Sequence, residues 1–354
     1  MTATRTAKKQ GKVRPARLTD LAALGELSRL CQSDDPSTRS LGLPVSGPPI
    51  GVFSLFRLPL GAFRPNDLMF VYEEDGRIAG LLRVERESTR DEWTIVELDA
   101  VGMADAGDIR YRLVNQLLRE GAKRGAARFH VACADVDGNV ELMMQAGFIR
   151  YGEEQIMFRP DRELPKPWTD KAAADARIRP AQPVDALALN RLYLAATPGP
   201  VARLEAIRLP DWERQGNHWR VPRSSLAPIL RFADIEAFVQ YAPGGGKDGT
   251  ELDGFIQVGV AKEDQPHYLK VLARPDADPT ALIEFGLGII EARTTKGDEH
   301  RHDHGVIAPV RTYEGPVDRR LEDAAFGSIA SVTLLMKETL VRVAEPALVP
   351  AGVR

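Results

Sequence analysis

The chain repeats a short motif at a distance of 165 residues, and this repeat constrains the fold more than any other feature. The segments VRPARLTD (Val13–Asp20) and IRPAQPVD (Ile178–Asp185) both read apolar-Arg-Pro-Ala, then three residues, then Asp. Leucines at helical spacing follow both segments, so each Asp is placed to cap a helix. A self-similarity of this period indicates duplication of a whole domain. We therefore expect two domains of the same fold within the 354 residues.

The two halves also match near their C-terminal ends. The segment MMQAGFIRYGEEQIMFR parallels LEDAAFGSIASVTLLMK, so Phe148 corresponds to Phe326. Three prolines after the first of these segments are typical of a stiff interdomain linker. The first 17 residues hold six basic residues and no acidic one, which favours a disordered tail over an electrostatic docking arm. The predicted units are the tail, the first domain, the linker and the second domain, at 1–12, 13–159, 160–176 and 177–345.

Each half alternates strands and helices in the same order. In the first half the order is strand, helix, a Gly/Pro-rich stretch (34–67), a hairpin, strand, helix, strand, short helix and strand. The hairpin turn is predicted at Asp75-Gly76, a pair that favours tight turns between strands. The second half repeats this order and ends in a predicted strand at Ser331–Val343. The fold class is therefore α/β.

Composition excludes several classes of protein. Lys and Arg number 47 against 50 Asp and Glu, so the net charge is −3, which is unlike a nucleic-acid-binding protein. No apolar run reaches the roughly 18–20 residues that cross a bilayer. Two cysteines, Cys31 and Cys133, cannot form a disulfide scaffold. We expect a cytoplasmic protein without nucleic-acid or membrane partners; homo-oligomerisation stays open.

The order of elements, together with Gln145-Ala146-Gly147-Phe148 after a short helix, resembles the GNAT superfamily of N-acetyltransferases. The resemblance covers nearly the whole chain, once per half, as in tandem members of that superfamily. It implies two GNAT-like domains, each a mixed central sheet flanked by helices. It also implies acetyl-CoA as co-substrate, lying between two splayed central strands, and an amine acceptor that is a small molecule or a peptide.

The resemblance further implies where the first half would hold the cofactor. GNAT proteins bind pyrophosphate on backbone amides at a helix start, where free amides and the helix dipole attract anions. Of the glycines of their Gln/Arg-x-x-Gly-x-Gly/Ala motif, this chain keeps at most Gly107. The backbone positions implied for the pantetheine arm are Val101, Gly102 and Met103. The amides implied for the phosphates are those of Gly107, Asp108, Ile109 and Arg110.

The second half departs further from the family pattern. Between its strand end at Asp276 and its helix at Ala281, about four residues of the phosphate-binding turn are missing, and the remnant is acidic. We therefore expect the second domain to be degenerate. In the first half, the Gly/Pro-rich stretch 34–67 is expected to form an apolar wall over the cleft.

Glu97 is the candidate general base. Period-two alternation along WTIVELDAVGM predicts that Trp93, Ile95, Glu97 and Asp99 share one face. Some GNAT members carry a glutamate base at the position that Glu97 resembles; the alternative is a carboxylate that orders a loop or pairs with an Arg. Many members place a tyrosine, the general acid, where this chain has Met143.

Two functions remain open from the sequence. One is an acyl-CoA-dependent N-acyltransferase with its site in the first domain; the other is a non-catalytic GNAT-like binding or scaffold protein with decayed cofactor sites. The histidines at alternate positions of Glu299–His304 could bind zinc or nickel, but a solvated loop is the favoured interpretation. No metal site is therefore predicted.

Overall fold

The computed structural model describes residues 11–31, 41–44, 67–86, 91–101, 106–136, 138–160, 164–213, 221–244, 251–262, 265–294 and 304–339. The first half contains β1 Lys12–Pro15, α1 Leu21–Cys31, β2 Asp67–Glu74, β3 Arg77–Arg86, β4 Glu92–Ala100, α2 Ala106–Lys123, β5 Arg128–Cys133, α3 Asn139–Gln145 and β6 Ile149–Arg159. The second half contains α4 Asp170–Asp175, β7 Ile178–Pro180, α5 Ala186–Ala196, α6 Gly199–Glu205, α7 Leu209–Glu213, β8 Phe232–Tyr241, β9 Leu252–Ala261, β10 His267–Ala273, α8 Thr280–Thr294, β11 Val306–Arg311, α9 Gly315–Asp323 and β12 Gly327–Glu338.

The repeated motif forms the same ionic turn in both halves. The Arg14 guanidinium donates to both carboxylate oxygens of Asp20 at 2.6 and 3.0 Å, and Arg179 donates to Asp185 at 2.6 and 2.9 Å. Each Asp also accepts from the backbone N–H three residues before it. The prediction that each Asp caps the following helix is therefore wrong. The carboxylate closes the turn that precedes the helix. A bidentate Arg–carboxylate pair explains why the motif needs both residues.

The predicted order of elements is confirmed, with one corrected boundary. Asp75 and Gly76, both with positive φ, connect β2 to β3 as the hairpin signal indicates. The last strand begins at Gly327, four residues before its predicted start. Its first residues, Gly327–Ala330, are mostly exposed, and they enter the sheet because β6 pairs with them, for which no apolar alternation is needed.

The final strands of the two halves are exchanged. The described strands form one mixed sheet in the order β1-β2-β3-β4-β5-β12-β6-β11-β10-β9-β8-β7. β12 pairs antiparallel with β5 of the first half, and β6 pairs antiparallel with β11 of the second half. The two halves therefore share a continuous sheet, and the domain limits at 13–159 and 177–345 stay a prediction. The described part of the predicted linker packs on the second half, where Trp168 meets Phe285 edge to face.

Helices cover both faces of the first half of the sheet. Leucines of α2 pack against one face, together with Trp93, Ile95 and Leu98 of β4. α1 packs on the opposite face against Val71 and Leu81. At Gly80 an added Cβ would lie 2.5 Å from Ile109 of α2, so glycine lets this helix approach β3 and β4 closely.

A buried ionic cluster lies where β6 and β11 meet. Arg311, 3% exposed, faces Glu154, which is fully buried, across the two strands with Nε 3.4 Å from Oε1. The same guanidinium donates to Glu205 of α6 at 2.8 Å. Glu205 also accepts from the hydroxyl of Tyr193 at 2.7 Å, and the backbone N–H of Ser225 donates to Glu154 at 2.8 Å. The cluster thus ties the last strand of the first half to four segments of the second: β11, α5, α6 and the loop at Ser225.

Removal of the Arg311 charge should destabilise the whole chain. Arg311→Met leaves two buried carboxylates without their cation, and breaking such a pair from one side lowers the free energy of unfolding by about 3–5 kcal/mol. Arg319→Met is the matched control, because Arg319 is exposed on α9, and its effect should stay within about 0.5 kcal/mol. Urea denaturation measures both variants. Equal midpoints for the two variants would contradict the role given to Arg311.

Candidate cofactor and active site

The two central strands of the first half separate partway along their length. β4 and β5 pair in parallel from Glu92↔Arg128 to Ile95↔Val131. Beyond this point Val96–Ala100 continues along β3, while Ala132 and Cys133 continue along β12. The resulting gap is the splay that the GNAT resemblance implies. The helix that follows β4 in the chain is α2, which begins at Ala106.

A β-bulge at Val96 sets which side chains of β4 face each side. Val84 pairs with Ile95 and Arg83 pairs with Glu97, so Val96 is an extra residue on β4. An extra residue inverts the alternation of side chains beyond it. The prediction that Trp93, Ile95, Glu97 and Asp99 share one face is therefore wrong. Trp93 and Ile95 pack with α2, whereas Glu97 and Asp99 lie opposite Arg83 and Leu81, on the side of α1.

Glu97 forms a largely buried ion pair with Arg83. The Nε of Arg83 lies 3.0 Å from the Oε2 of Glu97, and the two side chains are 8% and 13% exposed. This is the arrangement that the alternative interpretation of Glu97 describes, a carboxylate paired with an Arg. Sequence reasoning missed Arg83 because it lies on another strand; its one signal was a charge inside the apolar run of β3.

Cys31 lies on the same side of β4 as Glu97 and Asp99. The thiol lies at the end of α1, and burial, with smaller contributions from Asp99 and Glu97, raises its pKa to about 12. The thiol is therefore neutral at physiological pH. The neutral thiol therefore adds no charge to the face of β4 that holds Glu97 and Asp99.

The first turn of α2 is partly exposed. α2 begins at Ala106; Gly107 and Asp108 are exposed, Ile109 is buried and Arg110 is half-buried. A Cβ added at Gly107 would meet no atom within 4 Å, so the surroundings leave room there. The carboxylate of Asp108 lies 2.7 Å from the Nε of Arg112, which offsets part of its charge.

The remaining positions that the resemblance implies for the site are Val101, Gly102, Met103, Arg110 and Met143. Val101 is half-buried and donates its N–H to Ala79 at 3.0 Å, extending β4 along β3. Gly102 and Met103 lie outside the described residues. The Arg110 side chain donates to Asn139 at 2.7 Å, which ties α2 to the start of α3. Met143 is buried in the core, where its thioether offers no proton.

The corresponding gap of the second half is bridged by a buried lysine. β10 and β11 pair only at His267↔Val306 and Tyr268↔Ile307 in their register. Just beyond, Lys270 of β10 donates to the carbonyl of Pro309 in β11 at 3.2 Å and to Glu314 at 2.9 Å. In the first half Gly80 pairs with Ala100, and Glu97 lies three residues before Ala100 on β4. In the second half Gly254 pairs with Ala273, and Lys270 lies three residues before Ala273 on β10. Lys270 therefore corresponds to Glu97.

The helix start of the second half carries an internal anion. Asp278 accepts from the backbone N–H of Thr280 at 3.1 Å and from its hydroxyl at 2.6 Å, at the first residue of α8. These hydrogen bonds hold the pKa of Asp278 below its usual range. Arg320 of α9 lies 3.1 Å from the same carboxylate. A carboxylate of the chain therefore occupies the position at which a helix N-terminus would attract phosphate.

Most of the Gly/Pro-rich stretch 34–67 lies outside the described residues. Its described part, 41–44, packs at the end of β5, where Leu41 accepts from the backbone N–H of Ala134 at 2.8 Å. Leu41 and Leu43 are buried against the first-half core. The expected apolar wall over the cleft otherwise stays a prediction.

The described residues contain neither a metal-binding group nor a membrane-spanning helix. Among them, no group of three or more His, Cys, Asp or Glu side chains could hold a metal ion. Only His304 of the histidine-rich segment falls within these ranges. In the same part of the chain, no helix is both long enough and apolar enough to span a membrane.

Comparison with known proteins identifies the fold. The sequence matches no family model and no curated protein. A tandem GNAT protein from the clavulanic acid biosynthesis pathway has a TM-score of 0.54 and 14% identity, covering 93% of this chain and 98% of its own. A GCN5-related N-acetyltransferase from Sphaerobacter thermophilus has a TM-score of 0.52 and 14% identity, covering 94% of this chain and 97% of its own.

Similarity at this level of identity concerns the fold. Both structures match nearly the entire chain, so the duplication inferred from the repeat is reproduced at the level of the fold. The chain therefore has the α/β fold of tandem GNAT proteins, with two GNAT-like domains built on a mixed central sheet flanked by helices.

Proposed function

We propose that the chain is an acyl-CoA-dependent N-acyltransferase with its site in the first half. The observation that carries this proposal is the gap between β4 and β5 beyond Ile95, together with the start of α2 after β4, where Gly107 and Asp108 are exposed. A fold alone does not supply a function, whereas a gap together with an anion-attracting helix start is a property of this site. The acceptor class is an amine on a small molecule or a peptide.

The residues present fit a CoA-type cofactor. The backbone at Val101, Gly102 and Met103 would hold the pantetheine arm, and the amides of Gly107, Asp108, Ile109 and Arg110 would hold the phosphates. α2 is 18 residues long, so its dipole adds to the attraction of its free N–H groups. The bound cofactor would supply an activated acyl thioester. Glu97, held by Arg83, would take the proton of the acceptor amine.

The second half is proposed to be degenerate as a cofactor site. Lys270 bridges the gap between β10 and β11, and Asp278 caps the start of α8. A cofactor would have to displace a buried ion pair at one point and overcome a carboxylate at the other. Both rearrangements are unfavourable, which supports one site per chain.

Acetyl-CoA should therefore stabilise the chain and bind with a stoichiometry of one. A ligand that binds only the folded state raises the free energy of unfolding by about 2.7 kcal/mol at a hundredfold excess over Kd. Thermal unfolding with millimolar acetyl-CoA measures the shift in Tm, and calorimetric titration measures the stoichiometry. Two equivalent sites would overturn the degenerate second half.

Gly107→Ala should separate cofactor affinity from stability. Alanine is a better helix former than glycine by about 0.8–1.0 kcal/mol in a helix interior, and the site has room for the Cβ, so the unliganded chain should be at least as stable. The methyl group would stand where phosphate approaches the backbone, and the Kd for acetyl-CoA should rise. Gly199→Ala, at the start of α6 with equal room, is the control and should leave the Kd unchanged. Equal Kd values in both variants would remove Gly107 from the site.

Glu97→Gln and Arg83→Met should distinguish a base from a structural carboxylate. Both variants break the buried ion pair and lower stability, but only Glu97→Gln removes the carboxylate. A general base contributes a factor of roughly 10²–10⁴ to the rate, so turnover should fall by that order in Glu97→Gln and less in Arg83→Met. The loss should shrink at higher pH, where more of the acceptor amine is deprotonated. Near-normal turnover in Glu97→Gln would leave Glu97 a purely structural role.

The second candidate function is a non-catalytic GNAT-like binding or scaffold protein. Two observations favour it: Glu97 is paired with Arg83, and the position expected for the general acid is the apolar Met143. Absence of any Tm shift with acetyl-CoA, longer acyl-CoAs and free CoA would support this candidate over the enzyme.

A further inference from the structure

The first half borrows a central strand from the second. β12 pairs with β5 over its full length, Arg128–Cys133, whereas the pairing of β5 with β4 ends at Val131. Thr339, after the end of β12, donates its N–H to Ala127 at 2.9 Å and its hydroxyl to Ala126 at 2.5 Å. β5 is one of the two strands that bound the proposed cofactor gap. β5 therefore pairs over a longer stretch with β12 of the second half than with β4 of its own half.

Two cationic side chains, one from each exchanged strand, bind the end of a helix in the opposite half. The contact of Lys337 with Ala146 is called the Lys337 clasp below. Lys337 of β12 donates to the carbonyl of Ala146 at the end of α3, at 2.5 Å. Arg159 of β6 donates to the carbonyl of Ala324 at the end of α9, at 3.0 Å. In the sequence repeat, Lys337 corresponds to Arg159 and Ala324 to Ala146. A cation at a helix C-terminus satisfies exposed carbonyls and the helix dipole, so each half caps the last helix of the other.

The positive φ of Gly147 requires the glycine of the Gly-Phe pair, and the Lys337 ammonium lies directly beside it. Gly147 has a φ of +86°, and an added Cβ would lie 2.5 Å from the Lys337 ammonium. The space next to the glycine is thus taken by a side chain from the other half of the chain. A motif recognised within the first half is completed by the second.

A loop of the second half adds apolar contacts. Leu226, Ile229 and Leu230 are buried in the same cluster as Trp93 of β4 and Phe129 of β5. Side chains of the second half thus contribute to the core on which both strands of the gap rest.

We propose that the second half is a positioning element for the proposed site of the first half: β12 and the Lys337 clasp set where β5 lies relative to β4. The cofactor gap then exists only while the second half is folded. The inference concerns the site of the proposed function, and its primary test needs no cofactor.

Hydrogen exchange on the full chain tests the dependence. Leu287→Ala removes a fully buried side chain of α8, in the second half. Core truncations of this kind lower stability by at least about 2 kcal/mol, which corresponds to roughly 30-fold faster exchange of the slowest amides. We expect this acceleration in α2 of the first half as well as in α8. Leu187→Ala, at a half-exposed position of α5, is the control and should accelerate neither helix. Acceleration confined to the second half would overturn the inference.

The clasp is tested by Lys337→Met against Lys262→Met, which alters an exposed lysine at the end of β9. Lys337→Met should speed exchange in α3 and β5 and raise the Kd for acetyl-CoA, and Lys337→Arg should restore both. Identical exchange in Lys337→Met and Lys262→Met would overturn the role of Lys337. With acetyl-CoA bound, protection should rise in both α2 and α8, and a rise in α2 alone would overturn the dependence. If neither helix is protected, the proposed function fails, while the Leu287→Ala comparison still decides the present inference.

Discussion

The ion pair between Arg311 and Glu154 decides how the two halves are joined. These residues face each other across β11 and β6, one from each half, and both are buried. The sequence repeat places the apolar Val332 where the first half has Glu154, and continuing the pairing of β12 with β5 sets Val332 beside Ala134. Only the exchanged arrangement sets the two charges opposite each other. Without exchange, Arg311 would keep Glu205 of its own half, whereas the buried Glu154 would face an apolar side chain and lose its cation, which is unfavourable.

The two halves of the shared sheet differ in the side chain at the gap between their central strands. In the first half, Glu97 is held by Arg83 of β3, on the side of β4 away from β5. In the second half, the corresponding Lys270 reaches across to β11 and closes the gap. The two halves therefore differ at one strand position. It holds an anion paired with β3 in the first half and a cation that bridges the gap in the second. The duplicated sheet contains both arrangements.

Sequence patterns predicted the elements well because each depends on local chemistry. Asp75-Gly76 adopts positive φ at low cost, and the apolar positions of α2 recur at helical spacing, so turn and helix follow from neighbouring residues. The bulge at Val96 moves the apolar alternation of β4 from Trp93 and Ile95 to Val96 and Leu98, and a period of two carried through Glu97 passes over this shift. Arg83 escaped because an ion pair between strands depends on register, which single-strand periodicity does not encode.

The sequence by itself determined the duplication, through its repeated motif, and the order of strands and helices, because each element is set by residues close together in the chain. The tertiary structure alone decided which strand lies beside which, and with it the face of Glu97 and the bridge of Lys270. The physical reason is that β6 and β12 each present a backbone edge that either half could accept. The choice rests on buried contacts between residues far apart in sequence, such as Arg311 with Glu154.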